Sequence, residues 1–153
     1  MELRTRINNA VKQAMKDKEA ERLSTLRLIN AAIKDRDIAA RATGNDNGVD
    51  DAEVLAILGK MVKQRKESAK TYEEAGRLDL AAREEAEVEI IEEFLPKPLN
   101  DKEIDAAIDA AVSEVGAESI RDMGRVMGAL KARYTGQMDF GAVGAQVKTR
   151  LSA

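Results

Sequence analysis

Residues 94–116 read FLPKPLNDKEIDAAIDAAVSEVG, and this stretch decides the fold. Pro96 and Pro98 offer no amide donor and push the residues before them out of the helical region, so no helix runs through this point. Asn100, with Glu103 three residues later, has the spacing of a capping box. Ile104, Ala107, Ile108, Ala111, Val112 and Val115 then recur every three or four residues, the pattern of an amphipathic helix. Gly116 supplies its stop. A helix therefore begins afresh just beyond a proline pair, and the chain divides there. The expected domains are 1–97 and 98–153.

Upstream the signals are also helical. Leu3, Ile7, Val11 and Met15 repeat every four residues and predict a first helix from Met1 to about Asp17. A second runs from about Ala20 to Arg41 through Leu23, Leu26, Asn30 and Ile33, with Leu28, Ile29 and Ala32 widening the seam. The turn formers of ATGNDNGVDD (42–51) break the pattern. Asp50 or Asp51 can cap a third helix, which reaches about Glu74 through Leu55, Leu58, Met61, Val62, Arg65 and Tyr72. Gly76 ends it, and a fourth follows from about Asp79 to Phe94. The short connection makes helices three and four an antiparallel hairpin.

Downstream, Ser119 can cap a helix whose seam is Ile120, Met123, Met127, Leu130 and Tyr134. After YTGQMD (134–139), Phe140, Val143, Val147 and Leu151 mark a last helix. The expected fold is all-α: about four helices, a proline-containing hinge, and a C-terminal three-helix bundle. Composition agrees. The 153 residues include two Phe, two Tyr and no Trp, and 35% of them are charged.

The sequence contains no Cys and no His, which removes disulfides, thiolate nucleophiles and imidazole acid–base catalysis. No apolar run has the length of a signal peptide core or a membrane span, so the expected location is cytoplasmic, without a membrane partner. No cofactor or metal site is expected. The stretch GRVMGALK (124–131) lacks the ending of a phosphate loop and follows no strand.

Charge is unevenly distributed. Residues 1–95 hold 17 basic and 20 acidic side chains, whereas residues 122–153 hold five basic and two acidic. Arg125, Lys131, Arg133, Lys148 and Arg150 are thus the candidate nucleic-acid contacts. Gly124, Gly128, Gly141 and Gly144 share the same segment. Each costs about 1 kcal/mol relative to Ala inside a helix. They are expected to be close-packing positions, where another helix of the bundle or a ligand approaches the backbone. Lys60, Lys63, Lys66 and Lys70 on helix three face Glu85, Glu89, Glu92 and Glu93 on helix four, which suggests cross-helix ion pairs. Asn30, Arg65 and Tyr72 lie on or near apolar seams, where buried hydrogen bonds can fix register.

Three segments carry a family resemblance: LSTLRLINAAIKDRDIAAR (23–41), GRLDLAAREEAEVEIIEEFLPKPLNDKEI (76–104) and MGRVMGALKARYTGQMDFGAVGAQVKTRL (123–151). Together they resemble the GatB/YqeY family over essentially the whole chain, in its stand-alone YqeY-like form. The resemblance implies an all-α, two-domain fold related to the tail of the B subunit of the tRNA-dependent Asp/Glu amidotransferase. In that enzyme the tail grips tRNA and performs no chemistry. The implied function is that of a non-catalytic tRNA- or RNA-binding accessory protein. Its rival is a protein–protein adaptor, with the amidotransferase itself among the possible partners. The large catalytic cradle of the B subunit has no counterpart here, so carbon–nitrogen ligase activity would be a label inherited from the larger protein.

Overall fold

A computed structural model describes residues 2–152, and every regular element among them is helical. The chain separates into two compact units, Met1–Leu95 and Pro96–Ala153.

The first unit holds α1 (Leu3–Lys16), α2 (Ala20–Ala42), α3 (Asp51–Glu74) and α4 (Leu78–Glu92). Local chemistry sets the ends of α3. The Asp50 carboxylate accepts the Glu53 amide at 2.9 Å, and Gly76 adopts φ +74° just beyond the helix. Leu3 and Ile7, Leu26, Ile29 and Ile33, Val54 and Leu58, and Val88 and Ile91 interlock in one buried cluster. The loop before α3 is latched to it. Arg4 Nη1 donates to Asp37 at 2.9 Å, and Asp37 accepts the Val49 amide at 2.9 Å. The Arg4 guanidinium, then the Val49 N–H, hold the Asp37 carboxyl below its usual range.

Two seam residues differ from the expectation. Met15 is 54% exposed and Leu28 43% exposed. A spacing of four advances about 40° beyond a full turn, so three steps carry Met15 about 120° around from Leu3. Ala14 occupies the buried position instead. On α2, Leu28 lies about 100° off Ile29, outside the buried arc. Within the expected lysine–glutamate ladder Lys66 pairs with Glu92 at 3.8 Å, whereas Glu93 turns instead to Arg22 of α2. The stronger link in the hairpin is Arg65–Glu87 at 3.2 Å, half-buried on both sides. Asn30 does bond across helices, to Asn8 of α1 at 3.4 Å.

The second unit holds α5 (Asp101–Val115), a 3-10 turn (Ile120–Asp122), α6 (Met123–Tyr134) and α7 (Phe140–Ser152). The Asn100–Glu103 box is complete: the Asn100 side chain accepts the Glu103 amide at 2.8 Å and Glu103 accepts the Asn100 amide at 3.1 Å. Gly116 closes α5 at φ +64°. Since neither proline has an N–H, Leu99 supplies the donor for this segment, to the Gln137 carbonyl at 2.9 Å. The Gln137 side chain answers by donating to the Lys97 carbonyl at 3.2 Å. Both bonds tie residues 97–99 to the turn between α6 and α7.

Ala107, Ile108 and Ala111 of α5, Val126 and Leu130 of α6, and Val143 and Val147 of α7 form the core. Ser119 caps the 3-10 turn and not α6 directly. That turn changes the phase of the chain. Ile120 falls 44% exposed, and Val126, outside the expected seam, is fully buried.

Candidate nucleic-acid interface

Charge in the second unit is segregated by helix. α5 carries Asp101, Glu103, Asp105, Asp109 and Glu114, while α6 and α7 contain no acidic residue. The five basic candidates all belong to α6 and α7, but they do not share one surface.

Three of them are neutralised within the unit. Arg133 Nη2 lies 2.9 Å from Glu114 of α5, and Arg150 pairs with Asp109 of the same helix. Arg125 donates to Asp122 at 2.8 Å and to the Val115 carbonyl at 2.9 Å. Asp122 is the anchor of that corner. The backbone N–H of Glu118, then Arg125, then the N–H of Ser119 all favour its charged form and hold its carboxyl down to about 2.

Lys131 and Lys148 are different. Both are exposed, and neither has an ion-pair partner among the described residues. Helical register explains the contrast. Each lysine stands two residues before a paired arginine, and two residues turn the helix by about 200°. Arg133 and Arg150 point from opposite neighbours toward α5, so Lys131 and Lys148 point the other way. That direction is the side of the α6–α7 pair turned away from α5. Core residues frame each set: Leu130 and Tyr134 around the first, Val147 and Leu151 around the second. The signal was present in the sequence as LKARY (130–134) and VKTRL (147–151), two copies of one lysine–arginine pattern. Arg121, not among the expected contacts, is also exposed without an ion partner among the described residues.

The glycines need correction. A Cβ placed on Gly124 or Gly128 meets nothing within 4 Å, so neither is a close-packing position within the bundle. Each lies about 200° around α6 from a core-facing residue, Gly124 from Val126 and Gly128 from Leu130 or Val126. Gly141 is exposed as well, its amide donating to Asp139 at 3.0 Å. Gly144 alone of the four is buried. Its Cβ would rest at ordinary contact distance, 3.7 and 3.8 Å, from the methyl ends of Met123 and Met127. The open glycines therefore lie on the same outward side as the two free lysines, and they leave the α6 backbone unshielded there.

No group of three or more Asp and Glu among the described residues is placed to hold a metal ion, and no helix among them is long and apolar enough to cross a membrane. What this geometry defines is an all-helical protein whose second unit carries exposed lysines and open glycines on α6 and α7 and an acidic α5. Comparison with known proteins gives the family. The model described as Yqey-like protein matches residues 4–151, and the chain belongs to that YqeY family. Among curated proteins it is similar to Altered inheritance of mitochondria protein 41, mitochondrial. The match is 31% identical in Vanderwaltozyma polyspora, covering 69% of this chain and 56% of the relative. In Lachancea thermotolerans it is 34% identical, covering 69% and 55%. In Pyrenophora tritici-repentis it is 27% identical, covering 84% and 71%. The chain thus spans a little over half the length of the first two relatives.

Proposed function

We propose that this protein is a non-catalytic RNA-binding accessory protein, and that the side of α6 and α7 turned away from α5 receives the phosphate backbone of a structured RNA such as tRNA. One observation carries the reading: Lys131 and Lys148 have no ion-pair partner among the described residues on an acid-free helix pair, while the neighbouring Arg133 and Arg150 pair with α5. Unpaired lysines gain by releasing counterions from phosphates, whereas paired arginines must first break an existing contact. Gly124 and Gly128 support it, because a strand can approach the helix backbone where no side chain intervenes. With two Phe, two Tyr and no Trp in the whole chain, stacking platforms for bases are scarce, and recognition falls to backbone shape.

Filter binding of the purified chain to total tRNA at low salt tests this. Retention above an acidic control protein of similar size is expected, and retention equal to the control refutes it. Glutamine-dependent amidation of misacylated tRNA by the chain alone is expected to be absent. In this reading the protein works in the cytoplasm, although the fungal relatives carry mitochondrial names. Fractionation of cells expressing a tagged chain decides the compartment.

A further inference from the structure

The solvent face of α2 has no role in the RNA reading, and its chemistry is specific. Arg27, Lys34 and Arg41 are spaced seven residues apart and all exposed. Seven residues return to within about 20° of the same direction, so the three cations form a nearly straight stripe about 21 Å long. None makes an ion pair among the described residues, and Arg41 reaches Asp37 only through its field.

Beside the stripe runs a second, apolar one. Ala31, Ile38 and Ala42 are exposed next to the cations, with Leu28 beyond them. Ile38 is 54% exposed and Leu28 43%, while the opposite side of α2 (Leu26, Ile29, Ile33) is fully engaged in the core. Asp35 and Leu28, seven residues apart, share the far edge of this face. Across its width the face therefore runs from the cations, through Ile38, Ala31 and Ala42, to an edge that holds one anion and one aliphatic side chain.

We propose that this face docks an acidic amphipathic helix from a partner protein. Charge complementarity selects the occupant. Glutamates or aspartates at heptad spacing would meet Arg27, Lys34 and Arg41, and a row of apolar side chains would cover Ile38 and Leu28. Asp35 would orient the partner by rejecting acids on the far edge. An RNA strand would leave Ile38 and Leu28 against water. A membrane surface calls for larger apolar and aromatic anchors than two aliphatic side chains. The RNA-binding side belongs to other helices, so this inference stands or falls separately from the RNA reading.

The probe is a synthetic 21-residue helical peptide with glutamates at positions one, eight and fifteen beside a leucine stripe. A control peptide carries lysine for glutamate. Fluorescence anisotropy with the full chain is expected to show binding of the acidic peptide only. Ile38→Asp and the triple variant R27E/K34E/R41E should each weaken it at least tenfold. Because all four positions are exposed, both variants should keep the wild-type melting temperature, and the triple variant should gain affinity for the lysine peptide. Equal binding of both peptides, or no change in the variants, overturns the proposal. So do two other outcomes: α2-dependent dimerisation in sedimentation, which would assign the face to a second copy, and α2-dependent binding to phosphatidylglycerol vesicles.

Discussion

Replacing both free lysines, K131A/K148A, isolates the electrostatic part of RNA binding. If each lysine meets one phosphate, the pair contributes about 1.8 to the slope of log affinity against log salt, at roughly 0.9 per contact on a duplex. Between 50 and 200 mM salt, a fourfold change, those two contacts account for about a twelvefold loss of affinity. The double variant should bind tRNA more weakly at low salt and show a slope shallower by about two. Neither lysine supports the fold through an ion pair, so melting temperature should not move. The control is R133A/E114A, which removes a cation already paired at 2.9 Å together with its acid. Net charge is unchanged, the exposed pair is worth at most about 1 kcal/mol to stability, and the salt slope should stay within 0.3 of wild type. Electrophoretic mobility shift across five salt concentrations measures both. The reasoning is refuted if K131A/K148A keeps the wild-type slope, or if the neutral pair deletion reduces it equally.

Three other outcomes follow from the geometry. Gly124→Ala and Gly128→Ala each add a methyl to an open helix face, so each should stabilise by about 0.5–1 kcal/mol, read as a higher urea midpoint; a lower midpoint means the face is covered. Asn100→Ala removes half of a complete capping box and should cost about 1 kcal/mol, measured by chemical denaturation. Asp122 has a folded value of about 2, below its unfolded value of about 3.9, so its contribution is present above pH ~4 and is lost as pH falls toward 2. Asp122→Asn should flatten the stability profile of the second unit in that window, and an unchanged acid limb would contradict the assignment.

The features legible in advance were those set by contacts within a few residues. Asn100 and Glu103, Asp50, Gly76 and Gly116 each act on backbone groups next to them, so their roles could be read from spacing alone. Seam phase was less legible because small errors accumulate along a helix: Ala14 replaces Met15, and the 3-10 turn at Ile120 rotates α6 until Val126 becomes central. The candidate site was half visible. Composition located the cations in α6 and α7, but their division into paired and free depends on Asp109 and Glu114, which the chain brings in from α5. The glycines misled for the same reason, since helix-weakening residues at turn spacing look alike whether a neighbour or open space lies beside them.

The central claim, that α6 and α7 present the RNA-binding side, is tested most directly by titrating tRNA into the isotopically labelled full chain and mapping amide chemical shifts. The predicted result is perturbation concentrated at Gly124, Gly128, Lys131, Gly141 and Lys148, fading with added salt. Perturbation confined to the first unit, or none at all, would contradict it.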